Sequence, residues 1–221
     1  VGTSINKIAV IAAVTGTLWP SIGSPQGGAG GVQVDLGLSS SLKVDDNFKL
    51  STGGGGTSVI SDTLLNFGII SITGTQTLAL TGSTTLRFGE IPGRSLAGFE
   101  DPNLRFTYTL NGSNSRVSFD ARYRNVEREF LDPFQVEREE QTFGTLVGGG
   151  GTIETRSANL NLQTGVNDPV GYTLSLGTND KNYQNVFNPN LFDNRTDTIK
   201  GSIILRLSQV SQVTLTAGQA Y

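Results

Sequence analysis

The longest regular pattern in the chain runs from Val32 to Val44 and has a period of two. Val32, Val34, Leu36, Leu38, Leu42 and Val44 alternate with Gln33, Asp35, Gly37, Ser39, Ser41 and Lys43, and Ser40 is the one polar residue on the apolar side. Such a period sends successive side chains to opposite faces of an extended strand. Strands of soluble proteins usually run about five or six residues, whereas a tilted crossing of a bilayer takes about 9 to 11. This stretch is longer than either. It keeps one greasy and one wet face throughout, as a strand does between lipid and a polar lumen. A sandwich strand fits the same residues, so the choice rests on the other strands and their connections.

The alternation recurs. Leu78, Leu80, Gly82, Thr84, Leu86 and Phe88 share one face, with Arg87 on the other. Leu104, Phe106, Tyr108 and Leu110 alternate with Arg105, Thr107 and Thr109. Val117, Phe119, Ala121 and Tyr123 alternate with Ser118, Asp120, Arg122 and Arg124. Further strands are predicted around Leu160 and Leu162, around Tyr172, Leu174 and Leu176, and around Ile199, Ile203, Leu205 and Leu207 with Lys200 and Arg206 opposite. The last strand carries Val213, Leu215 and Ala217. Ile153 to Arg156 falls out of phase, which predicts a bulge or a segment above a membrane. A strand over roughly 62–73 has no clear parity of its own.

The predicted connections alternate in length. Short turns near 74, 112, 167 and 209 interleave with long loops near 51, 96, 138 and 186, the second spanning Glu90 to Asn103. Asn111-Gly112 is a hairpin signal, and the runs Gly53 to Gly56 and Gly148 to Gly151 are loop rather than strand. Outer-membrane barrels have short periplasmic turns and longer extracellular loops. Sandwiches have no reason to alternate so regularly. An internal repeat points the same way: Ser61 to Gly82 lies without gaps on Thr196 to Ala217. Its register assigns the even positions of the 62–73 strand to the outward face.

Residues 1–29 differ from the rest. Lys7 precedes Ile8-Ala9-Val10-Ile11-Ala12-Ala13-Val14, Pro20 ends the apolar run, and a small-residue stretch comes after it. This is the layout of a secretory signal peptide, with cleavage expected after Ala29 or Gly23; a buried strand or helix of the mature domain is the alternative. Residues 30–221 are then the barrel. Nine strands is an odd number, whereas bacterial single-chain barrels use an even one. Either further hairpins lie beyond Tyr221, the preferred expectation, or Ile8 to Leu18 is a strand.

Composition narrows the chemistry. The 221 residues include 29 glycines, with 16% charged and 36% hydrophobic, both below the roughly 25% and 45–50% of soluble domains. Cysteine, histidine and methionine are absent, which removes disulfides, Cys nucleophiles, Ser-His-Asp triads and His-ligated metals. A net charge of −3 without a basic patch argues against nucleic acid. Asp45-Asp46-Asn47 and Asn179-Asp180 lack the full calcium-loop spacing. The glycine runs lack the Lys-Ser or Lys-Thr of a phosphate loop. No catalytic, metal or cofactor site is expected, and the chain is not expected to be an enzyme.

Lys43, Arg87, Arg105, Asp120, Arg122, Arg124, Lys200 and Arg206 are the candidate lumen-lining residues. Their excess of positive charge fits either a pore for anionic solutes or a packed, ion-paired interior. An acidic loop from Asn125 to Gly151 folds inward onto the arginines or stays at the surface. Val34, Leu36, Leu38, Leu80, Phe106, Tyr108, Phe119, Leu174, Leu205 and Leu215 are the candidate lipid-facing residues. Phe88, Tyr123 and Tyr172 join the outward aromatics as candidates for an interface girdle.

The strand-and-loop rhythm from Val32 to Tyr221 and the signal-like start resemble the porin-like outer-membrane β-barrels of Gram-negative bacteria. No diagnostic motif carries the likeness, so no functional residue is carried over. The resemblance implies an integral protein of the cell outer membrane with the lipid bilayer as its partner. The expected fold is all-β, an antiparallel up-and-down meander forming a transmembrane β-barrel with about nine strands in this stretch and more beyond its C-terminus. The expected function is a passive pore for small polar or anionic solutes. A secreted or surface-exposed β-rich adhesin without a pore is the alternative.

Overall fold

Strands joined by turns of a few residues have little choice but to pair antiparallel with their chain neighbours. The structure, a computed structural model, describes residues 12–16, 31–46, 56–131, 150–186, 191–208 and 210–221. Its strands are β1 (Ala12–Gly16), β2 (Gly31–Asp45), β3 (Ser58–Ile72), β4 (Gln76–Ile91), β5 (Arg94–Asn111), β6 (Ser115–Glu127), β7 (Thr152–Thr164), β8 (Val170–Gln184), β9 (Asn194–Arg206) and β10 (Gln212–Ala220). They form one ten-stranded antiparallel sheet in chain order, β1 to β10. A 3₁₀ turn, Arg128–Phe130, comes directly after β6. The sheet does not close: β1 and β10 each have a single neighbour.

β2 to β10 are the nine strands that the alternation predicts. β1 is the tenth, lying within the Ile8 to Leu18 stretch and pairing with β2 from Leu38 to Leu42. With ten strands, an even number, the first and last run antiparallel. The rest of 1–29, with both expected cleavage positions, lies outside the described residues. So does most of the acidic loop, 132–149.

Residues opposite one another in a ladder share a face, so the pairings sort every side chain. Val34 faces Ile69, which faces Leu80, which faces Phe106; Tyr108 faces Phe119, and Leu205 faces Val213. These pairings overturn the parity expected for β3. Its odd positions Leu65, Phe67 and Ile69 join the apolar face, while Asp62 joins the polar one opposite Arg87. The reason is turn length. β3 pairs Ile72 with Thr77, whereas in the related β9–β10 hairpin Arg206 pairs with Gln212. One residue of difference in register flips a whole strand.

Two more expectations change. The loop expected from Glu90 to Asn103 is strand on both sides of a two-residue turn at Pro92-Gly93, where Gly93 takes φ +88°. Pro presets the first turn position and glycine supplies the positive φ at the second. Of the two alternatives expected at Ile153 to Arg156, a bulge or a raised segment, the bulge is absent, since β6 and β7 pair without a break. A break lies instead between β4 and β5: Ser83 faces Asn103 and Thr85 faces Glu100, so Asp101 and Pro102 together oppose Thr84. Asp101 has φ +49°, and the Thr84 hydroxyl donates to the Glu100 carbonyl at 3.0 Å. A bulge is one of the few places in a sheet that accepts proline.

Only five apolar side chains are buried among the described residues: Ile60, Ile91, Leu96, Val126 and Ile153. All lie toward the end of the sheet that carries the connections 46–57, 92–93, 128–151 and 185–193. The wide apolar face is therefore uncovered. Leu36 is 56% exposed, Tyr172 53% and Leu215 59%. A soluble sheet buries its apolar face against a second layer, and the described residues supply none.

Candidate functional site

The face opposite the apolar one carries two clusters of charged side chains on β2 to β6. Alternation puts Asp62, Arg87, Arg105, Asp120, Arg122 and Arg124 there, and the ladder brings them within reach of one another. Arg87 forks onto Asp62, its Nε donating at 2.7 Å and its Nη2 at 3.0 Å. Lys43 reaches the same carboxylate at 3.3 Å. On β5 and β6 the arrangement repeats: Arg105 Nε donates to Asp120 at 2.8 Å and Arg122 Nε at 3.1 Å. The Thr107 hydroxyl donates to Asp120 at 3.3 Å. Each carboxylate thus holds two cations. Arg124 forks onto Asp101, in the bulge, at 2.9 and 3.0 Å.

The end of the sheet above these clusters is tied down. The 3₁₀ turn after β6 folds back over the polar face, and Arg87 lies 3.6 Å from the centre of the Phe130 ring. Phe130 also packs on the cluster of Ile60, Ile91 and Leu96. Arg94, at the start of β5, donates to Glu127 at 2.8 Å and lies 3.6 Å from Glu129. The opening residues of the acidic connection therefore lie over the polar face. Its course from 132 to 149 lies outside the described residues.

The eight candidate lumen residues all fall on the polar face, yet they do different things. Lys43, Arg87, Arg105, Asp120, Arg122 and Arg124 are in ion pairs. Lys200 faces Ser175 across the β8–β9 ladder and has no carboxylate partner among the described residues. Arg206 sits at the opposite end of the sheet, where its Nη1 donates to the carbonyls of Gly165 and Asp168, both at 2.7 Å. It closes the β7–β8 turn rather than lining a passage. Arg206→Ala is expected to lower stability by about 2 kcal/mol, the range of a hydrogen bond to a charged group. The check is a urea titration with Arg206→Lys beside it, which restores part of the loss.

The ten candidate lipid-facing residues lie on the other face. Leu80 and Phe106 are paired neighbours, and the Phe106 and Phe119 rings meet at 5.8 Å with 56° between planes. Phe88, Tyr123 and Tyr172 lie on the same face. Sequence reasoning missed Asp62, Asp101 and Phe130. Asp62 was hidden by the unclear parity of β3, and Asp101 by reading the bulge as loop. No signal in the sequence pointed to Phe130.

No family model matches the chain, and neither a curated protein nor a solved structure matches it.

Proposed function

We propose that this chain is an integral membrane β-barrel protein of a bacterial outer membrane, acting as a passive pore for small polar solutes. One observation carries the reading: the uncovered apolar face is a band that runs obliquely across the ladder. The hydrogen-bonded row that starts at Leu36 passes through Phe67, Gly82, Leu104, Tyr123, Arg156 and Asp180 to Arg195. It leaves β2 in the apolar band and reaches β9 among charges, with Ile199, Ile203 and Leu205 lying further along that strand. A level band therefore climbs about one residue per strand, and at about 3.3 Å per residue and 4.8 Å between strands that is a tilt of about 35°. Membrane barrels tilt their strands by about 35–45°.

The charge pattern supports the same reading. Charged pairs Arg156–Glu154 and Arg195–Asp197 sit where the row has climbed out of the band. The polar face carries the two carboxylate-centred clusters, as a wetted lumen would. Lipid does not tolerate free strand edges, so in the membrane the edges of β1 and β10 are paired, with each other or with further strands.

The test is reconstitution. The full chain is expected to require detergent, to migrate differently on a gel before and after boiling, and to give unitary conductance steps in a planar bilayer. A chain that stays folded and monomeric in plain buffer would favour the adhesin reading instead. A detergent-requiring chain without conductance would be a membrane barrel with a filled interior.

A further inference from the structure

We propose that the hollow across β7, β8 and β9 is a subsite for neutral polyhydroxylated solutes, small sugars or polyols; how such a solute reaches it rests on the pore reading. The hollow measures about 590 Å³ and lies on the polar face. Its walls are amides and hydroxyls: Asn159 and Asn161 from β7, Ser175 and Asn179 from β8, and Thr198 from β9, with Lys200 as the one charged group. Two ladder rows make the floor. Asn161 faces Ser175, which faces Lys200; Asn159 faces Gly177, which faces Thr198.

Gly177 is the low point. A Cβ there would stand 2.9 Å from Asn159 Oδ1, so the Asn159 amide lies across the glycine. The three asparagine side chains are exposed to solvent in the hollow. None of them hydrogen-bonds to another side chain or to backbone among the described residues, in contrast to Arg87, Arg105, Arg122 and Arg124, which are paired with Asp62, Asp120 and Asp101.

The chemistry comes from that contrast. A carboxamide offers two donors and an acceptor, and a hydroxyl offers both roles. Together they match the vicinal hydroxyls of a sugar without any change of charge. The lining contains no carboxylate to hold a metal ion and no guanidinium fork to grip a phosphate or carboxylate. The volume falls in the usual range of about 300–1,000 Å³ for small-molecule sites. It also lacks an aromatic ring to stack on a pyranose. Binding by a few neutral hydrogen bonds is therefore weak, about millimolar, as suits a site that a solute must leave again.

The experiment uses the full chain in detergent micelles, with sucrose as the probe and saturation-transfer NMR as the readout, alongside sucrose block of bilayer conductance. Asn159→Leu with Asn161→Leu is expected to weaken sucrose binding by about tenfold, since both amides are lost from one wall. Thr109→Leu, elsewhere on the polar face, is expected to leave it within about twofold. Heat-modifiable migration verifies that each variant folds. Unchanged binding in the double variant, or binding of phosphate but not sucrose that Lys200→Ala abolishes, overturns the proposal. Sucrose binding in micelles without bilayer conductance would overturn the pore and keep the subsite. Conductance without sucrose binding would overturn the subsite and keep the pore.

Discussion

Asp62→Ala is expected to destabilise the protein by about 3–5 kcal/mol, the usual cost of stranding a buried charge. The charge stranded is Arg87. Its side chain is 9% exposed, it forks onto Asp62, and Phe130 covers its flat face. Without the carboxylate the guanidinium loses its hydrogen-bonded anion and keeps only the longer-range attraction of Glu100 on β5. Lys43→Ala at the same cluster is expected to cost at most about 1 kcal/mol, because the lysine is 59% exposed and keeps its water. Replacing both buried partners, Asp62→Leu with Arg87→Leu, is expected to recover much of the loss, since a buried ion pair often does little better than an apolar pair of similar volume. Urea titrations of the parent, Asp62→Leu, Arg87→Leu and the double variant in micelles, read as the fraction with unboiled mobility, give the coupling energy directly. A double variant no better than the sum of the single ones would remove the pairing from the account.

Leu36→Arg is expected to cost about 2–4 kcal/mol in a bilayer, the cost of a charge near the midplane on a lipid-facing strand. The side chain is 56% exposed, so on a sheet bathed by water the same substitution would cost next to nothing. That difference makes the position informative. Gln33→Arg, on the opposite face of the same strand, is the comparison: the Gln33 amide donates to the Asp35 carboxylate at 3.0 Å, and an arginine finds the same acceptor. It is expected to be near neutral. Folding yield into vesicles against denaturant separates the two.

The strands were legible because one face of each is apolar and the other polar, and period two survives any detail of the turns. β3 was the exception for a physical reason. Ile60, Leu64, Ile70 and Ile72 lie on one face and Leu65, Phe67 and Ile69 on the other, so the alternation vanishes there and only the turn length sets the parity. The β4–β5 hairpin was misread because Pro102 in mid-strand looks like a breaker, and only the bulge against Thr84 makes room for it. Of the charged clusters, Asp120 with Arg105 and Arg122 could be read from neighbouring strands. Asp62 with Arg87 could not, since it needed the β3 register. The amide-lined hollow has no motif at all. It exists because Asn159, Asn161 and Asn179 happen to fall on one face once β7 and β8 are in register.

One face of the sheet is expected to meet lipid along a band that climbs across the ladder. Single cysteines, placed one at a time on β2 and β9 in a chain that has none of its own, give clean sites for spin labels in reconstituted vesicles. Oxygen, which concentrates in lipid, is expected to relax labels at Leu36, Leu38, Ile199 and Ile203. A water-soluble nickel chelate is expected to reach those at Ser39, Lys200 and Ser202, and also the label at Arg195, although it lies in the same ladder row as Leu36. Equal access of the chelate to both faces, or a lipid-buried label at Arg195, would contradict the account.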